Sequence, residues 1–328
     1  VGDGSTEATT RATEISRAAT GRGPRLVAVG SGKGGVGRSV VAANVATALA
    51  DSGQRVIAVD TDLGSANLHT LLGVEHPREG LSDFVARREE DLRKLAIETP
   101  VANLRLVAGT GGHLDDAQPD NARRVRLIRD LRQLDADWVV LDLGAGVHPA
   151  TLDYFLVADD ALLILSPEPT CIESAYAFLR AAFYRRLWQS MVSQNLRDLV
   201  TDAMDPRNER GIQNPLDLLR EVEAADPAEG ARFLRTVDEF RPKIVINGAR
   251  SADDIRLGFS VVTVCRRYFG ANFKYLGYIN YDEAVRRSVI AKVPLVHFAK
   301  EADAANYLTR IARKISEPPP AVSLGRHR

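Results

Sequence analysis

Ten residues, Gly30-Ser31-Gly32-Lys33-Gly34-Gly35-Val36-Gly37-Arg38-Ser39, constrain this chain more than any other stretch. An apolar run, Leu26-Val27-Ala28-Val29, leads into them, and a helical pattern from about Ser39 to Asp51 follows. A strand feeding a glycine-rich turn and then a helix is the setting of a phosphate-binding loop. The glycines leave successive backbone N–H groups bare, and together with the positive helix end these cradle phosphate oxygens. Gly32, Gly34, Gly35, Val36 and Gly37 form the candidate cradle. Ser39 is placed to offer a hydroxyl to Mg²⁺, and Lys33 supplies a cation early in the loop. Arg38 stands where such loops carry a lysine that reaches the β- and γ-phosphates. A dinucleotide site is the rival reading, because Gly30, Gly32 and Gly35 also satisfy GxGxxG; Lys33 and Ser39 fit polyphosphate–metal chemistry better.

Further apolar strands are expected at 55–60, 104–109, 138–142, 161–165, 243–247 and 274–279. A helix is expected over Asn121 to Leu134, with Val125, Ile128, Leu131 and Leu134 at helical spacing. Short apolar strands alternating with helices indicate an α/β fold: a mostly parallel central sheet covered by helices on both faces, of the P-loop NTPase type. Residues 172–240 read as a helical insertion. Phe178, Leu179, Phe183, Tyr184, Leu187 and Trp188 make it too apolar to stand exposed, so it either packs on the sheet or forms a partner or dimer surface. The expected organisation is a flexible arm (1–24), one ATPase domain (25–316) and a disordered tail (317–328).

Carboxylates end two of the strands. Asp60 and Asp62 are two residues apart, which places them on one side of an extended chain. Asp60 is a candidate to hold metal-bound water and Asp62 to orient an attacking water; solvated turn residues are the plainer alternative. Asp142 closes Val139-Val140-Leu141 and suits Mg²⁺ coordination through water. Gly144 and Gly146 behind it would let that loop move when a γ-phosphate arrives.

Formal charge is 43 positive against 43 negative, which argues against a bulk cationic nucleic-acid binder. Arg123, Arg124, Arg126, Arg129 and Arg132 nevertheless crowd one expected helix, where a DNA stripe competes with a solvated face or a protein contact. Cys171 and Cys265 lie far apart, against a disulfide framework or a cysteine-ligated centre within one chain. No run of 18 apolar residues occurs and the first residues show no apolar signal region, so a cytoplasmic protein is expected. A membrane surface and the nucleoid are alternative places of peripheral association. The last helix carries Tyr307, Leu308, Ile311 and Ile315 as a stripe that reads as core packing, and Val322 and Leu324 beyond it would anchor poorly.

Lys33 to Ser39, KGGVGRS, resembles the KGGxGK[ST] loop of the MinD/ParA family of deviant Walker A ATPases. Asp60-Thr61-Asp62-Leu63-Gly64 with Asn67-Leu68, the LDLGAG block at Leu141–Gly146, and Gly277-Tyr278-Ile279 through Val293-Pro294-Leu295-Val296 resemble other blocks of that family. Pro167-Glu168-Pro169-Thr170 is similar to the MinD-like regulators of flagellar number and placement. The resemblance covers about residues 25–170 and 241–315. It implies ATP/ADP and Mg²⁺ as cofactors and a homodimer with nucleotide between subunits when ATP is bound. By the same likeness Lys33 reaches the partner's nucleotide, Asp62 activates water, Asn67 orders its segment, and Asn247 and the loop at Pro294 flank the adenine. It implies a spatial switch with an activating or cargo protein. Arg38 departs from the family: its planar fork keeps the charge but not the compact ammonium geometry. Two other readings stay open, a nucleotide-bound scaffold with little hydrolysis and a biosynthetic ATP-dependent ligase on the same fold.

Overall fold

A computed structural model describes residues 23–110, 120–205, 207, 210–212 and 214–317. Nearly all of the expected arm and tail, with Val322 and Leu324, lies outside the described residues.

Eight strands form one sheet: β1 (Arg25–Ser31), β2 (Val56–Asp60), β3 (Ala96–Glu98), β4 (Leu104–Val107), β5 (Trp138–Ala145), β6 (Asp160–Leu165), β7 (Lys243–Ala249) and β8 (Lys274–Asn280). Their spatial order is β3-β4-β2-β5-β1-β6-β7-β8. Every pairing is parallel except β3 with β4. The parallel strands read as unbroken apolar runs because both faces are covered. Along β1, Leu26 and Ala28 face one layer while Val27 and Val29 face the other.

The Val27 side is covered by α1 (Arg38–Asp51) and the last helix, Asp303–Ser316. Four short elements join the strands on the β2 side: α2 (Leu68–Leu71), α3 (Leu81–Val85), a 3₁₀ turn at Leu92–Leu95, and α4 (Asn121–Leu131). The Leu26 side carries α5 (Pro149–Val157) and α6 (Pro169–Ser190). Then come α7 (Gln194–Asp202), α8 (Pro215–Ala225), α9 (Pro227–Glu239), α10 (Ala252–Phe269), α11 (Glu283–Ala291), α12 (Leu295–Phe298) and α13, the last helix.

The helical insertion is α6–α9, beginning at Pro169, slightly before the expected boundary. It packs on the sheet side: Phe178, Leu179, Phe183, Tyr184 and Leu187 are buried, while Trp188 stays 40% exposed. Phe183 meets Phe240 edge-on at 5.5 Å between ring centres and Phe269 at 5.1 Å, so aromatic packing joins α6 to the helices that follow. Burial of each such side chain contributes about 1.5–3 kcal/mol. In α13, Leu308, Ile311 and Ile315 are buried, which makes it a core helix of the domain.

Several elements had no counterpart among the expected ones, β3 and α5 among them. β3 is a three-residue edge strand, too short to show a pattern. α5 opens on Pro149, pre-set for a first helical position, with His148 as its cap. The His148 ring nitrogen accepts from the Ala150 amide. Burial, then Arg124 and Arg185, hold that imidazole below its usual pKa, which favours the neutral, accepting ring.

The arginines of α4 are spent inside the molecule. Arg124 pairs with buried Asp153. Arg126 stacks over Phe84 and donates to the Glu90 carbonyl. Arg132 grips Asp159 and the Val157 carbonyl. Arg123 and Arg129 pair with Asp120 and Asp130. The stripe thus makes intramolecular contacts, with Arg129 still 64% exposed at its outer face.

Candidate phosphate and metal site

The loop between β1 and α1 is shaped by close approach. A side chain at Gly32 would place its Cβ 2.0 Å from the Ser174 carbonyl oxygen in α6, so only glycine fits. Gly37 caps α1 at φ +82°, the left-handed region, and its missing Cβ would lie 2.3 Å from Asn247 Nδ2. Ser31, fully buried, donates its hydroxyl to the Lys33 carbonyl. Gly34 and Gly35 are exposed, and Val36 is buried as the loop's apolar foot.

Asn247, near the end of β7, donates to the Val36 carbonyl at 2.8 Å. Its amide group therefore ties the loop, a contact that was not expected for a residue read as an adenine partner. Lys33 is exposed and its Nζ lies 3.1 Å from Thr170 Oγ1 at the start of α6. Thr170, known from the sequence only as part of a block and not as a partner of Lys33, and Asn44, not singled out at all, join this network. Asn44 is 2% exposed in a helix of alanines and valines, and that lone polar position was the available signal. Its side chain donates to the Val40 carbonyl and accepts from the Val296 amide at 3.0 Å. Pro294, buried at the head of α12, thereby sits in a segment pinned to α1.

Asp60, the last residue of β2, is the register partner of Asp142, which lies within β5 three residues before its end rather than closing the strand as expected. Asp62 does not share Asp60's surroundings, although spacing placed the two together. The strand stops at Asp60 and the chain turns back over it. Asp60 is fully buried: one oxygen accepts from the Asp62 amide, the other from the Asn67 and Leu68 amides at 3.0 Å. Burial pushes Asp60 up to about 7, and the neighbouring Asp142 adds to the rise while the amides oppose it. Asn67 joins this turn through its backbone; its side chain makes no capping bond.

Asp62 instead faces Arg38. Arg38, 9% exposed, donates Nε to Asp142 Oδ1 at 2.8 Å and Nη2 to Asp62 Oδ2 at 3.0 Å. Burial raises the Asp142 pKa, and the Arg38 charge and the Ser39 hydroxyl work against that rise. A cavity of about 210 Å³ adjoins Asp62 and Gly144, walled in part by His148, Thr151 and Tyr154. β5 runs on to Ala145, so Gly144 belongs to the strand end, and Gly146 turns with φ +83°.

A strand–glycine loop–helix unit on a parallel sheet, with the Asp142 carboxylate of the neighbouring strand bonded to the first residue of that helix, defines a P-loop nucleotide-binding protein. Residues 27–295 match the family model described as the CobQ/CobB/MinD/ParA nucleotide binding domain, and the chain belongs to that family. It is 28% identical over 301 residues to the antiactivator FleN of Pseudomonas aeruginosa, spanning 90% of this chain and 87% of that protein. It is 31% identical over 153 residues to the septum site-determining protein MinD of Helicobacter pylori, spanning 46% of this chain and 56% of that one. The fold is shared with Pyrococcus horikoshii MinD, solved as a complex with Mg-ADP, at a TM-score of 0.62 and 21% identity over 90% of this chain and 96% of that chain.

Proposed function

We propose that the chain is an ATP- and Mg²⁺-dependent switch that dimerises when ATP is bound and positions or regulates a cellular structure. One observation carries this reading furthest. The start of α1, the segment after β2 and strand β5 meet at a single side chain, Arg38. A change at the loop is thereby felt by two separate carboxylate segments, which is what a nucleotide-gated switch requires.

In this reading the amides of Gly32 to Gly37 hold the phosphates, and exposed Lys33 reaches toward the nucleotide of a second subunit. Ser39 and Asp142 are the oxygen donors suited to Mg²⁺, a hard cation. When bound, Mg²⁺ neutralises charge on the β- and γ-phosphates. Asp62 orients the attacking water. Asp60 holds the Asp62–Leu68 turn through its three amide bonds. Asn247 and the Pro294 segment flank the base, Asn247 through whichever of its groups is not engaged with Val36. The likeness to FleN and MinD supports a regulator of placement that works with an activating or cargo protein.

A second reading, a nucleotide-bound scaffold with little hydrolysis, is favoured by the Arg38–Asp62 pair, which occupies the water-side carboxylate. Equilibrium titration with fluorescent ATP and ADP analogues, paired with phosphate release, tests both. Binding that weakens by about tenfold or more in Lys33→Ala or Ser39→Ala supports the site. Phosphate release selects the switch, and binding without release selects the scaffold. Failure to bind either nucleotide contradicts both.

A further inference from the structure

Arg38 is placed unlike a phosphate-reaching lysine. It is the first residue of α1, nearly buried, and its fork spans two carboxylates that belong to different segments. Nε takes Asp142 at 2.8 Å, and Nη2 takes Asp62 at 3.0 Å. A guanidinium can do this because its donors are fixed in a plane and point apart; one ammonium is a compact point charge on a flexible stem. The charge is permanent at any working pH.

These contacts fall on the groups that suit a divalent cation. Ser39 and Asp142 are oxygen donors of the right kind, yet Asp142 is already bonded to Arg38. Among the described residues no group of three or more His, Cys, Asp and Glu side chains is arranged to hold a metal. The carboxylate best placed for a cation, Asp142, has a positive charge beside it instead.

We propose that Arg38 is the resident cation of this site, so that nucleotide binding by this chain is nearly independent of Mg²⁺, which the switch needs for hydrolysis and not for binding. This deepens the nucleotide-switch reading and rests on it. Arg38 offsets one of the two negative charges on Asp142 and Asp62, charge that a divalent ion would otherwise neutralise before a polyphosphate could approach. The N–H groups of Arg38 not engaged by the two carboxylates remain as donors for phosphate oxygens. Arg38 is in this sense the residue that sets cation dependence.

The test is the dissociation constant of a fluorescent, slowly hydrolysed ATP analogue, measured on the full chain in Mg²⁺ and again in EDTA. The inference expects the two constants to agree within about threefold for the unaltered protein. It expects Arg38→Lys to lose about tenfold or more in affinity on removal of Mg²⁺, because the ammonium frees at least one carboxylate. A loss of about tenfold or more in the unaltered protein overturns the resident-cation role and leaves the nucleotide site standing. No binding in either buffer overturns both. The unaltered protein decides the question alone, so a poorly folding Arg38→Lys does not shield it.

Discussion

The side-chain amide of Asn247 donates to the carbonyl of Val36 at 2.8 Å, joining β7 to a loop 211 residues earlier in the chain. The bond holds the Val36–Gly37 peptide at the start of α1, where the cradle passes into the helix. Replacing Asn247 by Ala removes the donor and leaves the carbonyl in a partly buried place. A net loss of about 1 kcal/mol is expected, with nucleotide affinity falling about fivefold. Denaturant unfolding and nucleotide titration on the same variant check this. Unchanged affinity would show that the loop holds its shape without β7.

Gly37→Ala attacks the same junction from the other side. The position needs φ +82°, which costs an L-residue about 1–2 kcal/mol. The added methyl would also strike Asn247 Nδ2. Stability should therefore fall by more than the backbone cost alone, and binding should fall with it. In an Asn247→Ala background the extra loss should shrink, which a double-mutant cycle reads directly.

Away from the site, Asp153 is the buried anchor of α4, α5 and α6. It accepts from Arg124, from Arg185 and from Gln189. Asp153→Ala leaves two guanidinium groups without their carboxylate partner and is expected to cost about 3–5 kcal/mol. Nucleotide affinity of the folded fraction should stay as it was. A large drop in affinity without loss of stability would contradict a purely structural role.

Cys265 gives a pH-dependent prediction. Burial pushes its thiol up to about 12. The unfolded chain ionises this group near its ordinary value of 9.0, whereas the native chain keeps the proton. The native state then binds more protons, so this group's contribution to stability is complete below pH 9 and is lost as pH rises toward 12. At pH 8 a thiol reagent should modify Cys265 only at the rate of unfolding, checked by mass spectrometry with and without denaturant. Rapid labelling in native buffer would place the thiol at the surface.

Much of this architecture was legible because parallel strands covered on both faces must be apolar throughout, as Val139-Val140-Leu141 and Leu162-Leu163-Ile164 are. The phosphate loop was legible because its chemistry is local: glycines, cations and Ser39 lie within ten consecutive residues. β3 was not, since three residues at an edge carry no periodicity. Nor could spacing tell that Asp60 and Asp62 serve different partners, because the strand ends between them and the chain reverses. The routes of Arg38 to Asp142 and of Asn247 to Val36 span 104 and 211 positions and depend on packing, which no local pattern encodes. Thr170 beside Lys33 is hidden for the same reason.

The most direct test of the central claim is molecular mass by light scattering, with ADP and with a slowly hydrolysed ATP analogue at equal protein concentration. A nucleotide-gated switch predicts a monomer with ADP and a dimer with the analogue, and Lys33→Ala should hold the protein as a monomer in both. The same mass with either nucleotide, once binding of both has been established, would contradict it.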